Sequence, residues 1–197
     1  MKILSYLLKL SAVKKHIQIL ANDTDIFVLL VFFIWHYKPE THVTMRKYNG
    51  KVIDINATAS KLGNKSYDLL SVHALSGCDS VSYPYGKGKI SSVNLMLKLN
   101  LNLKIFSDPK ALKHEWMKAG MEFISYLYCG KVVESLSHLR YTIFSQKIDP
   151  PKINTLPPTN ESAAEHIKRA RITVLLWRSA DKIAPPASTA NISRGEK

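Results

Sequence analysis

The stretch IFVLLVFFIW, residues 26–35, constrains the fold more than any other part of the chain. Ten successive apolar side chains leave no polar face, so the segment has to be covered on all sides. It is about half the length that a bilayer crossing needs, so its cover is expected to be protein. Because it opens directly after Asp25, it suits a buried parallel strand and whatever follows that strand. The Asp-Thr pair before it also suits a helix cap, and periodicity alone does not separate the two in a continuous apolar run. Material for the cover is available: 46% of the 197 residues are apolar, enough for the core of one ordinary domain.

The flanking segments carry clearer patterns. In KILSYLLKLSAVKK, residues 2–15, Ile3, Leu4, Leu7, Leu8 and Leu10 recur at helical spacing between lysines, which predicts a surface helix packed on one side. No small-residue cleavage site follows, so a secretory signal is not expected. HIQILAND then alternates, with Ile17, Ile19 and Ala21 on one side, and reads as a strand ending in the acidic turn NDTD. HVTMRKYNGKVIDINATA reads as a hairpin through Asn49-Gly50, and YDLLSVHAL as a helix. Helices are also expected over 91–103, over 108–129 with Asp108 as N-cap and Pro109 at the first helical position, over 132–148, and over 161–180. The last has Ile167, Ala170, Val174, Leu175 and Trp177 as its apolar side. Residues 149–160 are proline-rich and read as a linker or an arm lying over the domain, and 181–197 as a disordered tail. The expected class is therefore α/β: a small parallel sheet with flanking helices in residues 1–148, followed by a helical region.

Charge narrows the partner. With 28 Lys+Arg against 15 Asp+Glu, the net charge is +13, which favours polyanions, nucleic acid first. No membrane partner is expected. Cys78 and Cys129 lie far apart with no zinc spacing, so free thiols in a reducing, intracellular compartment (nuclear or cytoplasmic) are expected. The seven histidines show no metal-binding spacing, and His73 reads as a satisfied core residue.

Two stretches carry chemistry. A strand ending in ANDTD, residues 21–25, puts Asp23 and Asp25 at the carboxyl edge of a sheet, where open α/β folds bind ligands. The pair can share Mg²⁺ or Mn²⁺ through oxygen, or Asp23 and Thr24 can simply cap the next helix. The second stretch is LLSVHALSGCDSVSYPYGKGKISSVNLM, residues 69–96. An apolar helix stops at Gly77, Asp79 follows, and the loop YGKGK opens another helix with Gly86, Lys87, Gly88 and Lys89 placed to hold a phosphate of nucleic acid. Here too an N-cap and an ordinary interhelical loop are alternative readings. Tyr83 and Tyr85 in the same loop can stack on bases or cover a helix end.

The order of these pieces resembles the 5′-nuclease branch of the PIN-like fold, the flap endonucleases. In that family a strand ends in Asp-x-Asp. Further on, an apolar helix runs into a Leu-x-Gly-x-Asp element, here Leu75 to Asp79, and a Gly-x-Gly loop, here Gly86-Lys87-Gly88, opens the next helix of a helix–two-turn–helix near 69–98. The wording HALSGCDSVSYPYGKGK is closer still to a set of transposon-associated animal proteins with this core, which also carry a late helix matched by His166 to Ala170 and Trp177. The resemblance implies a metal-dependent nuclease with Asp23, Asp25 and Asp79 as catalytic and metal-binding residues, Mg²⁺ or Mn²⁺ as a weakly held cofactor, and nucleic acid, DNA ahead of RNA, as partner.

The chain also departs from that pattern. The family has an acid on its first strand and an acidic cluster before the Asp-x-Asp strand, whereas the charges in Lys2–Lys15 are all positive. An amino-terminally truncated, catalytically impaired nuclease fold is therefore expected. Pro84 in the loop departs from the family's potassium-binding turn. The alternatives are a non-catalytic nucleic-acid-binding or protein-interaction module, or a mobile-element fragment without function.

Overall fold

The computed structural model describes residues 2–146, 149 and 151–179. The apolar run is a helix from end to end. Helix α2, Thr24–Tyr37, begins where the Asp23 carboxylate accepts a hydrogen bond from the Asp25 N–H at 2.8 Å, and Val28 through Ile34 are all buried. The strand reading of residues 26–35 is thus corrected. The Asp23 cap satisfies a free N–H at the start, and a helix satisfies its own backbone while every side of it is covered.

The remaining elements build that cover. Helix α1 spans Lys2–Ser11 and lays Leu4 and Leu7 on α2. Strand β1, His16–Leu20, pairs in parallel with β2, His42–Arg46, in the register His16 to His42 through Leu20 to Arg46. Strand β3, Val52–Asp54, returns antiparallel beside β2 through the expected Asn49-Gly50 hairpin. The sheet is therefore mixed, in order β1-β2-β3, and not all-parallel. The segment INATA leaves the sheet at once, because the Asp54 carboxylate accepts the Ala57 N–H and starts helix α3, Ile55–Leu62.

Helix α4, Lys65–Leu75, is buried along nearly its whole length and packs against α2, against α5 (Lys89–Lys98) and against α8 (Asn160–Arg178). A 3-10 turn, Leu103–Ser107, and helices α6, Lys113–Cys129, and α7, Leu136–Ser145, complete the described residues together with a short 3-10 turn at Ile153–Thr155. Helix α5 stops at Lys98, short of the expected 103. Helix α6 starts at Lys113, not at Asp108: the Leu112 N–H donates to the Glu115 carboxylate at 3.0 Å, and the Asp108 carbonyl is held by Arg171 of α8 at 2.7 Å. The proline-rich segment lies against the domain, with Leu156 buried and Arg140 donating to the Pro157 carbonyl at 2.7 Å. The tail at 181–197 lies outside the described residues. The class is mixed α/β, with eight α-helices and a three-stranded sheet among the described residues. No helix among them is long and apolar enough to cross a membrane.

The core is one cluster centred on α2 and α4, including Phe32, Phe33, Leu70, Leu75, Phe106 and Phe123, all at most 2% exposed. Each such side chain contributes roughly 1.5–3 kcal/mol relative to exposure. That continuous packing fixes the ends of α2, α4 and α5 relative to one another, and those ends form the site.

Candidate functional site

Three charged or titratable side chains meet where these helix ends converge. Asp25 lies in the first turn of α2, and its Oδ1 is 2.6 Å from His73 Nε2. His73 is near the end of α4, 3% exposed, and stacks on Trp177 of α8 at 5.6 Å between ring centroids. Lys89, the first residue of α5, turns inward: its ammonium lies 3.0 Å from His73 Nδ1 and donates to the Gly77 carbonyl. An ammonium only donates, so His73 Nδ1 is an acceptor here and Nε2 carries the proton that Asp25 receives. The order is carboxylate, neutral imidazole, ammonium.

Burial pushes the His73 imidazole below its usual value, opposed by the hydrogen bond to Asp25, and the Lys89 charge pushes it lower still. Burial likewise pushes the Lys89 ammonium below the usual lysine value, while Asp25, Cys78, Asp79 and Asp23 pull it back up. The lysine therefore sits in the field of all three sequence-predicted acids.

Helix α8 holds the adjoining loop. His166 Nε2 donates to the Leu75 carbonyl at 2.9 Å, and its Nδ1 accepts from the Ser82 hydroxyl at 3.3 Å. The Ser80 and Thr173 hydroxyls lie 3.0 Å apart. Within the loop, Cys78 and Val81 exchange both backbone hydrogen bonds at 3.0 Å, which leaves Asp79 exposed at the tip of the turn.

The sequence-predicted site residues thus have separate fates. Asp23 is the cap of α2, Asp25 is bound to His73, and Asp79 faces solvent. Among the described residues, no group of three or more His, Cys, Asp or Glu side chains is placed to hold a metal ion. The acids do not fit the divalent ion that the resemblance implies, because one carboxylate is a cap, one is a histidine partner, and a lysine already lies among them.

In the glycine loop, Gly86 and Gly88 are exposed, and Gly88 starts α5 without a side-chain cap. Lys87 is half-buried, with its ammonium 5.3 Å above the Tyr128 ring. Lys89, expected on phosphate, is part of the internal network instead. Sequence reasoning missed the His73–Lys89 contact and the role of His166. The only sequence signal for them was the co-occurrence of HAL, GKGK and HIKRA.

The network predicts an acid limb in stability. Burial lowers both His73 and His166 from the usual 6.5, the latter despite its bond to Leu75. The unfolded chain then takes up protons that the folded one refuses as pH falls past 6.5. Stability is complete above that value and is lost as pH drops toward the folded-state values. Thermal melts between pH 7 and 5 should show a falling midpoint, with a shallower fall in His166→Gln. A flat profile would sink the assignment of both imidazoles, the buried His73 and the half-buried His166, as neutral.

Comparison of the chain with protein-family models, with curated proteins and with solved structures finds no match in any of the three.

Proposed function

We propose that the chain is a nucleic-acid-binding module with a PIN-like, flap-endonuclease-type plan, catalytically impaired, that binds DNA in preference to RNA. The observation that carries this reading is the inward-turned Lys89, bonded to Gly77 and His73 in the field of Asp23, Asp25 and Asp79. An ammonium there neutralises the acids but supplies no Lewis acid to activate water or to stabilise a leaving oxygen. What remains is binding. A net charge of +13 favours a polyanion, and Lys87 stands at the exposed Gly86–Gly88 loop as a cation for phosphate. A nuclear or cytoplasmic setting accords with such a partner.

Fluorescence anisotropy on labelled DNA duplex at several salt concentrations tests the reading. Wild type should bind at low salt, and Lys87→Ala should weaken binding about equally across sequences. The variant should also lower the slope of log K against log salt by roughly one unit. An unchanged slope would make the loop only a turn. In the same preparation, cleavage with added Mg²⁺ or Mn²⁺ should not exceed background. Strong cleavage abolished by Asp79→Asn would overturn the impaired-site reading.

A further inference from the structure

Beside the glycine loop lies a cavity of about 530 Å³ that shares only Ser82 and His166 with the hydrogen-bond network of the site above. Its walls come from the loop after Val81, from α6, α7 and α8, and from the proline-rich segment, and they carry Tyr83, Tyr85, Tyr128, Arg140 and Arg169. The volume is in the range of small-ligand sites. We propose that this cavity receives one unstacked nucleotide of a single strand, with the base among the tyrosines and the phosphate toward Arg169 and Lys87. This rests on the nucleic-acid reading above and adds to it a stacking contact with one unpaired base.

The chemistry of the wall selects that ligand class. Tyr83 and Tyr85 are 74% and 47% exposed, so two aromatic faces are open to a planar partner. Tyr128 is half-buried, its phenol pushed upward by burial, and its hydroxyl makes no hydrogen bond among the described residues. Arg169 makes neither a hydrogen bond nor an ion pair among the described residues. Arg140 gives one N–H to the Pro157 carbonyl and retains the rest of its fork. The one carboxylate on the wall, Glu165, is engaged by Lys168.

An alkyl chain would bury cations without pairing them, and a bare inorganic anion would leave the aromatic faces unused. A nucleotide unit uses both. Base–aromatic stacking tolerates any sequence because every base has a π-face, and arginine adds cation–π and phosphate contacts. The Lys87 ammonium over the Tyr128 ring joins this cavity to the glycine loop, so a phosphate at the loop and a base in the cavity lie on one path.

The test compares two labelled single strands of equal length and phosphate count at low salt, an oligothymidylate and its fully abasic counterpart. Wild type should bind the thymidylate about tenfold more tightly, the scale of stacking on aromatic side chains. The Tyr83→Ala/Tyr85→Ala double variant should lose that preference and keep its salt slope, while Tyr83→Trp/Tyr85→Trp should keep both. These side chains are exposed, so the variants should melt near wild type. Equal affinity of wild type for the two strands, or a preference that survives the alanine pair, overturns the cavity proposal and leaves duplex binding standing. Absence of binding to either strand and to duplex overturns the nucleic-acid reading, and this proposal with it.

Discussion

Arg171→Leu is expected to destabilise the fold by about 3–5 kcal/mol, since hydrogen bonds from a charged group contribute roughly 1.5–3 kcal/mol each and several are lost together. Arg171 is only 6% exposed on the inner face of α8. Its guanidinium donates to the carbonyls of Ile105 at 2.9 Å, Phe106 at 3.2 Å and Asp108 at 2.7 Å, and sits 5.0 Å over the Trp116 ring. Those carbonyls belong to the 3-10 turn and its exit, where the Ile105 and Asp108 carbonyls also take the Asp108 and Ala111 N–H groups at 3.2 Å and the arginine adds a second, charged donor to each. Leucine fills much of the volume but removes the charged donor from all three carbonyls, leaving Ile105 and Asp108 with their weaker backbone donors. At the size of this chain each kcal/mol moves the melting midpoint by about 2–4 °C, so a fall of roughly 10 °C is expected. Arg171→Lys should fall between, since an ammonium keeps the charge but not the planar fork that reaches several carbonyls. A leucine variant within about 1 kcal/mol of wild type would show that the turn re-forms its bonds without the arginine.

The same arginine explains one limit of reading the chain from sequence. Asp108-Pro109 is a good helix start by local rules, yet the chain makes only a turn there, with the Ala111 N–H on the Asp108 carbonyl that Arg171, 63 residues away, also holds, and the helix begins at Lys113. Local patterns were legible where the local chain decides. The alternation Ile17, Ile19 and Ala21 gives β1, the Asn49-Gly50 turn gives the hairpin, and helix periodicity gives α1 and α8. The run at 26–35 was legible as buried but not as helical, since a segment covered on every side has no periodic face to read. Parallel pairing of β1 with β2 accords with the expected parallel sheet, and the tight hairpin that adds β3 antiparallel is what makes the sheet mixed. In the site, Gly77 and the loop after it were visible as a motif. Their chemistry was not, because Asp25 and His73 are separated by 48 residues and His73 and Lys89 by 16. A lysine in GKGK reads as a phosphate ligand, and only the fold turns its long stem inward to a carbonyl and an imidazole.

Gly77→Ala should therefore damage the site more than any other small substitution in the loop. Gly77 has φ +97°, a conformation that residues with a Cβ rarely adopt. Space forbids the methyl as well: a Cβ there would lie 2.5 Å from Tyr83 Cβ and 2.7 Å from Tyr83 Cα. Both atoms are fixed to the backbone, so no rotamer change relieves the clash and the loop itself has to shift. Left-handed strain of roughly 1–2 kcal/mol adds to overpacking of about 1–3 kcal/mol, and a loss of about 3 kcal/mol is expected. Gly86→Ala is the matched control, with φ +71° but nothing within 4 Å of the added carbon, so it should cost only the conformational part. The functional consequence follows from the Gly77 carbonyl, which accepts from Lys89. A displaced loop releases the lysine from that carbonyl and leaves Asp23, Asp25 and Asp79 less well neutralised, so the basic face loses attraction for phosphate. Denaturant unfolding should rank Gly77→Ala well below Gly86→Ala. Duplex affinity measured at a temperature where both variants are folded should follow the same order. Equal stability of the two variants would mean that the close approach of Gly77 to Tyr83 does not fix the loop.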